Sequence, residues 1–345
     1  MTEPGRRVTV IGAGSWGTAL ALLAARAGVT ATLWVREPLA ADIARRRENA
    51  RYLPGAILPE SVNVTADLAD SLAGSAVAVF AVPSHAMRDV ACAASRHLGG
   101  AVPVSAAKGL EPGSLRRMTE VLAGELGPDA APICALSGPN LAKEIAAGKA
   151  AAATVASADP GAAAIVRDLL MSSRFRLYTH DDVIGVEIGG ALKNVVALAA
   201  GMSDGLGAGD NAKAALMTRG LAEIARLGAA LGANPLTFAG LSGLGDLVAT
   251  CASPLSRNNR AGRMLAEGLD VPTIRARLGE TAEGIATAPA ARELGERLGV
   301  ELPITGLVYA VLAGDISPAD AVPLLMEREP RTELGAGRTG TASIG

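Results

Sequence analysis

Three cysteines and three histidines in 345 residues leave little with which to hold a metal or staple a fold. Cys92, Cys134 and Cys251 are odd in number and lack metal-ligand spacing, and His85, His97 and His180 do not complete a zinc set, so no metal site is expected and the thiols read as buried and reduced. Charge of one sign is lacking too. A formal net charge of −2 gives no general attraction to nucleic acid or to an anionic membrane, so any anion site must be local. The first apolar run lacks the charged start, long apolar centre and cleavage site of a signal peptide, which argues for the cytoplasm. The other long apolar stretch, Val183 to Met202, carries Glu187 and Lys193 among its glycines and alanines and reads as an interior helix rather than a membrane span. No repeat of solenoid length is evident.

Glycine is plentiful, and three glycines carry the strongest local signal. Arg7 to Ile11 is β-branched and apolar enough for a parallel strand buried on both faces, and Trp16 to Arg26 has the composition of a helix. Between them Gly12 permits a tight turn, Gly14 lets backbone approach a pyrophosphate, and Gly17 allows the helix to pack closely on the strand. Free N–H groups at the helix start would hold the phosphates. The bland alternative is an ordinary strand-to-helix turn.

A chain of this length exceeds a typical single core and predicts two domains. Thr30 to Arg36, Val62 to Thr65, Ala76 to Val82, the run from Val102 into Lys108-Gly109, Ile133 to Ser137, Ala151 to Ala156 and Phe175 to Thr179 read as further strands alternating with helices, and from Asp181 the pattern is helical to about residue 330. The expectation is an α/β protein: a largely parallel, doubly wound, Rossmann-like sheet over residues 1–180, an all-α domain over 181–330, and a disordered tail over 331–345. Residues 1–5 read as loose as well.

At the end of the second strand, Arg36 could meet a ribose 2′-phosphate while Glu37 could accept from a free 2′-hydroxyl; NADP(H) is favoured and NAD(H) stays open. His85 reads as a local hydrogen-bonding residue at the helix start that Pro83 introduces. Lys108, at the rim of another strand, is a candidate contact for substrate or cofactor. Ser137-Gly138-Pro139-Asn140 ends a strand in a turn whose backbone N–H groups could bind an oxyanion. Lys193 is the leading catalytic candidate: it lies on a helix among apolar neighbours, beside a Gly189-Gly190 pair thin enough for close packing. Desolvation would lower its pKa towards proton transfer, and a carboxylate such as Asp246 would oppose that shift. A snorkelling surface lysine is the alternative. Ser256 can cap a helix start where Arg257 grips a phosphate, or the segment is an exposed cap with solvated arginines.

Gly12-Ala-Gly-Ser-Trp-Gly17, Ala107-Lys-Gly-Leu110, Ser137-Gly-Pro139, Gly189-Gly-Ala-Leu-Lys-Asn194, Gly201-Met-Ser-Asp-Gly205, Gly243-Leu-Gly-Asp246 and Ser256-Arg-Asn258 together closely resemble the bacterial NAD(P)-dependent sn-glycerol-3-phosphate dehydrogenases, in order from residue 8 to about residue 325. The resemblance implies a 6-phosphogluconate-dehydrogenase-like two-domain fold. It also implies a cytoplasmic enzyme that reversibly reduces dihydroxyacetone phosphate for glycerophospholipid synthesis, with a homodimer as a family-level expectation. Carried over by position, Ser15, Trp16, Arg36, Tyr52, Lys108, Ala142, Arg257, Thr281 and Glu283 would join Gly12, Gly14 and Gly17 at the cofactor. Lys108, Gly138, Asn140, Lys193, Asp246, Ser256, Arg257 and Asn258 would surround the substrate, with Lys193 as proton donor and acceptor. Asn140 departs from an expected serine or threonine, and Thr281 from an expected aliphatic residue. A 3-hydroxyacid dehydrogenase of the same plan would not need the Ser256-Arg257-Asn258 phosphate grip, and a non-catalytic redox sensor would need neither Lys193 nor Asp246 in a cleft.

Overall fold

β1 (Arg7–Ile11) is buried from Val8 onward, as an unbroken β-branched run covered on both faces must be. The computed structural model describes residues 6–279 and 281–326, so the expectations for residues 1–5 and 331–345 lie outside the described residues. The remaining strands are β2 (Thr30–Trp34), β3 (Val62–Thr65), β4 (Val77–Phe80), β5 (Val102–Ser105), β6 (Cys134–Ser137), β7 (Ala151–Ala156) and β8 (Phe175–His180). They form one sheet in the order β3-β2-β1-β4-β5-β6-β7-β8. β1 to β6 run parallel, β7 is antiparallel to β6, and β8 is parallel to β7. The chain moves outward from β1 through β2 to β3, then returns to place β4 on the other side of β1. That reversal opens a crevice beyond the carboxyl ends of β1 and β4.

Helices α1 (Ser15–Arg26), α2 (Leu39–Arg46), α3 (Leu68–Leu72), α4 (Met87–Ala94), α5 (Met118–Leu126), α6 (Ala142–Ala146) and α7 (Pro160–Leu170) connect the strands. One apolar core joins α1 to the sheet through Leu20, Leu23, Val8 and Val10, and a second joins α4 and α5 to it through Phe80, Met87 and Val121. Cys134 and Cys251 are buried as expected, and burial pushes their thiols up to about 11 and about 12. Cys92 corrects the expectation: it is exposed, because Ala91 and Ala94 take the inward positions of α4.

From Val183 the described chain is helical: α8 (Val183–Gly205), α9 (Asp210–Ala230), α10 (Asp246–Ala252), α11 (Arg257–Ala266), α12 (Val271–Leu278), α13 (Glu283–Leu298), α14 (Pro303–Ala313) and α15 (Pro318–Met326). α8 is long and apolar enough to cross a membrane by length and composition, yet 89% of its most apolar window is buried against protein. Its start is capped by Asp182, whose carboxylate accepts the Gly185 N–H at 2.8 Å. The start of α14 is capped from a distance: buried Glu223 accepts the N–H groups of Ile304 and Thr305 at 2.8 and 2.9 Å.

α8 and α11 cross at contact distance because each presents glycine. A Cβ on Gly201 would stand 2.0 Å from the Asn259 carbonyl oxygen, and one on Gly262 would stand 2.1 Å from that of Leu198. Gly262→Ala therefore forces the helices apart at backbone, where nothing can rotate away. It is expected to destabilise the protein by roughly 1–3 kcal/mol or more. The check is a lower urea midpoint at unchanged slope.

Candidate active site

Gly12 adopts φ +109°, and a Cβ there would lie 2.7 Å from the Ala81 carbonyl oxygen; one on Gly17 would lie 1.9 Å from that of Gly12. Both glycines are required by packing. Gly14 differs, since a Cβ there would meet nothing within 4 Å. It faces open space at the start of α1, whose first turn carries no side-chain cap. Uncapped N–H groups around an open glycine fit a pyrophosphate. The loop is strapped from behind by Asn49, a fully buried residue whose amide donates to the Ala13 carbonyl and the Thr18 hydroxyl, both at 2.8 Å.

Arg36 is exposed beyond β2. Glu37 is exposed too, its carboxylate accepting the Ala41 N–H at 3.3 Å at the start of α2. Tyr52 is half-buried, with the Arg51 guanidinium 5.0 Å from its ring centre, and its N–H donates to Asn49 Oδ1 at 3.3 Å. Trp16 presents a buried indole N–H with no partner among the described residues.

Three elements converge on one carboxylate. Asp246, in the first turn of α10, accepts from Lys193 Nζ at 2.5 Å and from Lys108 Nζ at 2.6 Å. Lys193 sits mid-way along α8 and is 5% exposed, which excludes the snorkelling alternative. Its ammonium also donates to Thr250 Oγ1 at 2.7 Å, and Lys108 also donates to the Gly138 carbonyl at 2.8 Å. An ammonium has three N–H groups, so each lysine keeps one for a ligand. Burial pushes the Lys193 pKa down to about 8; the Asp246 charge opposes that shift and the Lys108 charge adds to it. The glycine pair expected to allow close packing does so, since a Cβ on Gly189 would lie 2.7 Å from the Ser242 carbonyl oxygen and one on Gly190 2.6 Å from Ser137 Oγ.

Around this cluster runs a chain of buried amides. Asn194 Nδ2 donates to the Lys108 carbonyl at 3.1 Å, Asn258 Nδ2 donates to Asn194 Oδ1 at 2.9 Å, and the Gly284 N–H donates to Asn258 Oδ1 at 2.9 Å. Next to Gly284, the Glu283 carboxylate accepts from Ser84 Oγ at 2.8 Å, tying α13 to the turn after β4. Burial raises the Glu283 pKa, against the lowering effect of the Ser84 hydrogen bond and of the His85 and Arg257 charges. Ser84 is buried here, whereas His85, expected to hydrogen-bond locally at the helix start, is exposed on a turn without a side-chain cap. Ser256 caps α11 as expected, accepting the Asn259 N–H at 3.2 Å, and Arg257 is half-buried in the first turn.

Gly138 adopts φ +141° after β6, and Ala142 begins α6. Asn140 lies between them with both polar side-chain atoms buried and without a partner among the described residues. Thr281 is exposed ahead of α13. Thr250, Asn194, Asn49 and Ser84 were not singled out as site residues from sequence. Only Thr250 carried a usable signal, four residues after Asp246 and so on the same helical face.

A model of the NAD-dependent glycerol-3-phosphate dehydrogenase N-terminus matches residues 7–163, and one of the C-terminus matches residues 182–323. The chain belongs to the NAD-dependent glycerol-3-phosphate dehydrogenase family. It is 52% identical over 331 residues to the glycerol-3-phosphate dehydrogenase [NAD(P)+] of Anaeromyxobacter dehalogenans, covering 95% of this chain and 100% of that one. Identity to the protein of the same name from Geobacillus thermodenitrificans is 48% over 330 residues, covering 95% and 96%. The crystal structure of the Coxiella burnetii glycerol-3-phosphate dehydrogenase superposes with a TM-score of 0.90 at 40% identity, covering 94% of this chain and 99% of that one. The Rossmann-like sheet followed by a helical half is therefore the fold of the glycerol-3-phosphate dehydrogenases.

Proposed function

We propose that the Lys193–Asp246–Lys108 cluster is the reaction centre of an NAD(P)-dependent glycerol-3-phosphate dehydrogenase. The enzyme reduces dihydroxyacetone phosphate reversibly to sn-glycerol 3-phosphate, a precursor of glycerophospholipids. The observation that carries the reading is a buried ammonium, tuned close to neutrality, beside the crevice of a glycine-loop sheet. Bound NAD(P)H supplies the hydride. Lys193 protonates the alkoxide that develops on the substrate oxygen, and in the reverse direction takes the proton back. Asp246 and Thr250 aim the ammonium, and Lys108 joins it at the carbonyl. Arg257 and the start of α11, with Ser256 and Asn258 beside it, hold the phosphate. Gly12, Gly14, Ser15, Trp16 and Gly17 hold the pyrophosphate, with Arg36, Tyr52, Ala142, Thr281 and Glu283 as further cofactor contacts.

NADP(H) is the favoured dinucleotide. The support is that the Glu37 carboxylate is engaged at the start of α2, where it accepts the Ala41 N–H, while Arg36 is exposed at the strand end. The same reading gives residues 1–180 to cofactor binding and 181–330 to catalysis, in a cytoplasmic homodimer.

The test is the steady-state oxidation of NADPH and of NADH with dihydroxyacetone phosphate, and with unphosphorylated dihydroxyacetone. Turnover that requires the phosphate supports the Arg257 site, and the NADPH to NADH ratio tests Arg36. Absence of turnover in folded, dinucleotide-binding protein defeats the reading.

A lysine titrating at about 8 also sets opposite pH limbs. Ketone reduction needs the ammonium, so its kcat falls as pH rises through about 8. Alcohol oxidation needs the amine, so its kcat rises through the same point. Profiles measured in both directions should share that midpoint with limbs of opposite sign, and parallel limbs would assign the titration to another group.

A further inference from the structure

Glu187 is a buried carboxylate that the reaction proposed above does not use. Its side chain is 7% exposed, and it stands on α8 six residues before Lys193. It accepts from Arg117 Nη1 at 2.7 Å, from the Thr119 N–H at 2.8 Å and from Thr119 Oγ1 at 2.6 Å. Burial raises its pKa, against the lowering effect of the Arg117 charge and the Thr119 hydrogen bonds. A charge kept at that cost calls for a reason, and the start of α8 does not supply one, because Asp182 already caps it.

Arg117 and Thr119 end the segment that Lys108 begins. Beyond β5 the chain passes Lys108 and doubles back: Leu110 pairs antiparallel with Arg117, and the Glu111 N–H donates to the Arg116 carbonyl at 2.9 Å. This hairpin runs along one face of α8. Asn194 holds its near end by donating to the Lys108 carbonyl, a Cβ on Gly190 would lie 3.5 Å from Lys108 Cγ, and Glu187 holds the far end. Positions 187, 190 and 194 share a helical stripe. Lys193 lies beside that stripe and meets Lys108 at Asp246.

We propose that Glu187 is a positioning residue for the reaction: by gripping the far end of the hairpin it sets Lys108 against Asp246 and Lys193. The inference rests on the function proposed above and deepens it. A lysine has a flexible four-carbon stem, so its ammonium keeps its place only if the backbone that carries it is held. Asn194 alone fixes one point of the hairpin, and Glu187 adds the second that stops it from pivoting away from α8.

The test is Glu187→Gln, which keeps the shape but sets an amide N–H group against the Arg117 guanidinium, donor facing donor. Its kcat/KM for dihydroxyacetone phosphate is expected to fall about hundredfold, the cost of a misplacement near 1 Å, while NADPH affinity is unchanged. In a Lys108→Ala background the same substitution should cost no more than about twofold, because the group it acts through is gone. The pH profile gives a second reading. The charged and titratable groups that act on Lys193 are Asp246 and Cys251 on α10 and Lys108 on the hairpin, and Lys108 lowers its pKa. Withdrawal of Lys108 therefore moves the reduction limb above about 8. Loss of the Glu187 charge by itself would act the other way, since it leaves the Arg117 cation unbalanced. Thr119→Val removes one of the contacts at similar shape, and should show the same pattern at smaller size if Glu187→Gln does not fold. An equal fall in both backgrounds, unchanged turnover, or a limb that stays or moves down would overturn the proposal. A wild-type enzyme idle with dihydroxyacetone phosphate defeats the functional reading itself, a result distinct from any of these.

Discussion

Lys193→Ala is expected to lower kcat for ketone reduction by about 10³, within the range for loss of a positioned proton donor, while dinucleotide affinity stays nearly unchanged. The variant should fold. Removing the ammonium leaves Asp246 bonded to Lys108 at 2.6 Å, so the carboxylate keeps a cation. The glycine loop is carried by β1 and α1, while Lys193 is on α8, so the cradle does not depend on this side chain. Single-turnover rates and a separate titration of NADPH binding divide the outcomes. A fall in turnover without a fall in affinity assigns Lys193 to the chemistry, whereas equal losses in both would give it a structural role. The pH dependence should change as well, because the limb near 8 belongs to the group removed.

Much of this site could be read from the order of residues, for physical reasons that differ from one residue to the next. Gly12, Gly14 and Gly17 declare themselves because strand, turn and helix are contiguous, so a local pattern carries the whole geometry. Lys193 stood out because an ammonium on an apolar helix requires explanation, and Gly189-Gly190 beside it requires a close neighbour. Its partner Asp246 was reachable as a nearby carboxylate, since burial of the lysine demands one. Asn49 was not. Nothing in its own stretch says that its amide will cross to Ala13 and Thr18. Ser84 and Glu283 meet across 199 positions, where only tertiary folding brings them together. The reversed direction of β7 was equally hidden: residues 138–150 are near the lower limit for a parallel crossover, and an antiparallel return satisfies the same strand pattern.

Asp246→Ala should cost more stability than any other single change at this site. It leaves two ammonium groups facing each other without the carboxylate that separates them, one of them 5% exposed. Breaking a buried ion pair from one side typically costs about 3–5 kcal/mol, because the remaining charge keeps its desolvation penalty. The loss should itself depend on pH. Asp246 opposes the downward shift of Lys193, so without it the lysine titrates below about 8. Between that lowered value and the ordinary 10.5, the folded state binds fewer protons than the unfolded one, so stability rises with pH across this window. The deficit relative to wild type is therefore largest below the lowered value, narrows as the pH rises from there towards about 8, and is constant above it, where Lys193 is neutral in both folded proteins. Urea midpoints for both proteins at pH 6 and pH 9 measure it, and a deficit that does not narrow would mean that Asp246 stabilises the fold chiefly through contacts other than Lys193. Asp246→Asn keeps a similar shape and one acceptor without the charge. If charge is what matters, its deficit should follow that of the alanine variant with pH, and its ketone reduction at pH 7 should fall because Lys193 no longer holds its proton.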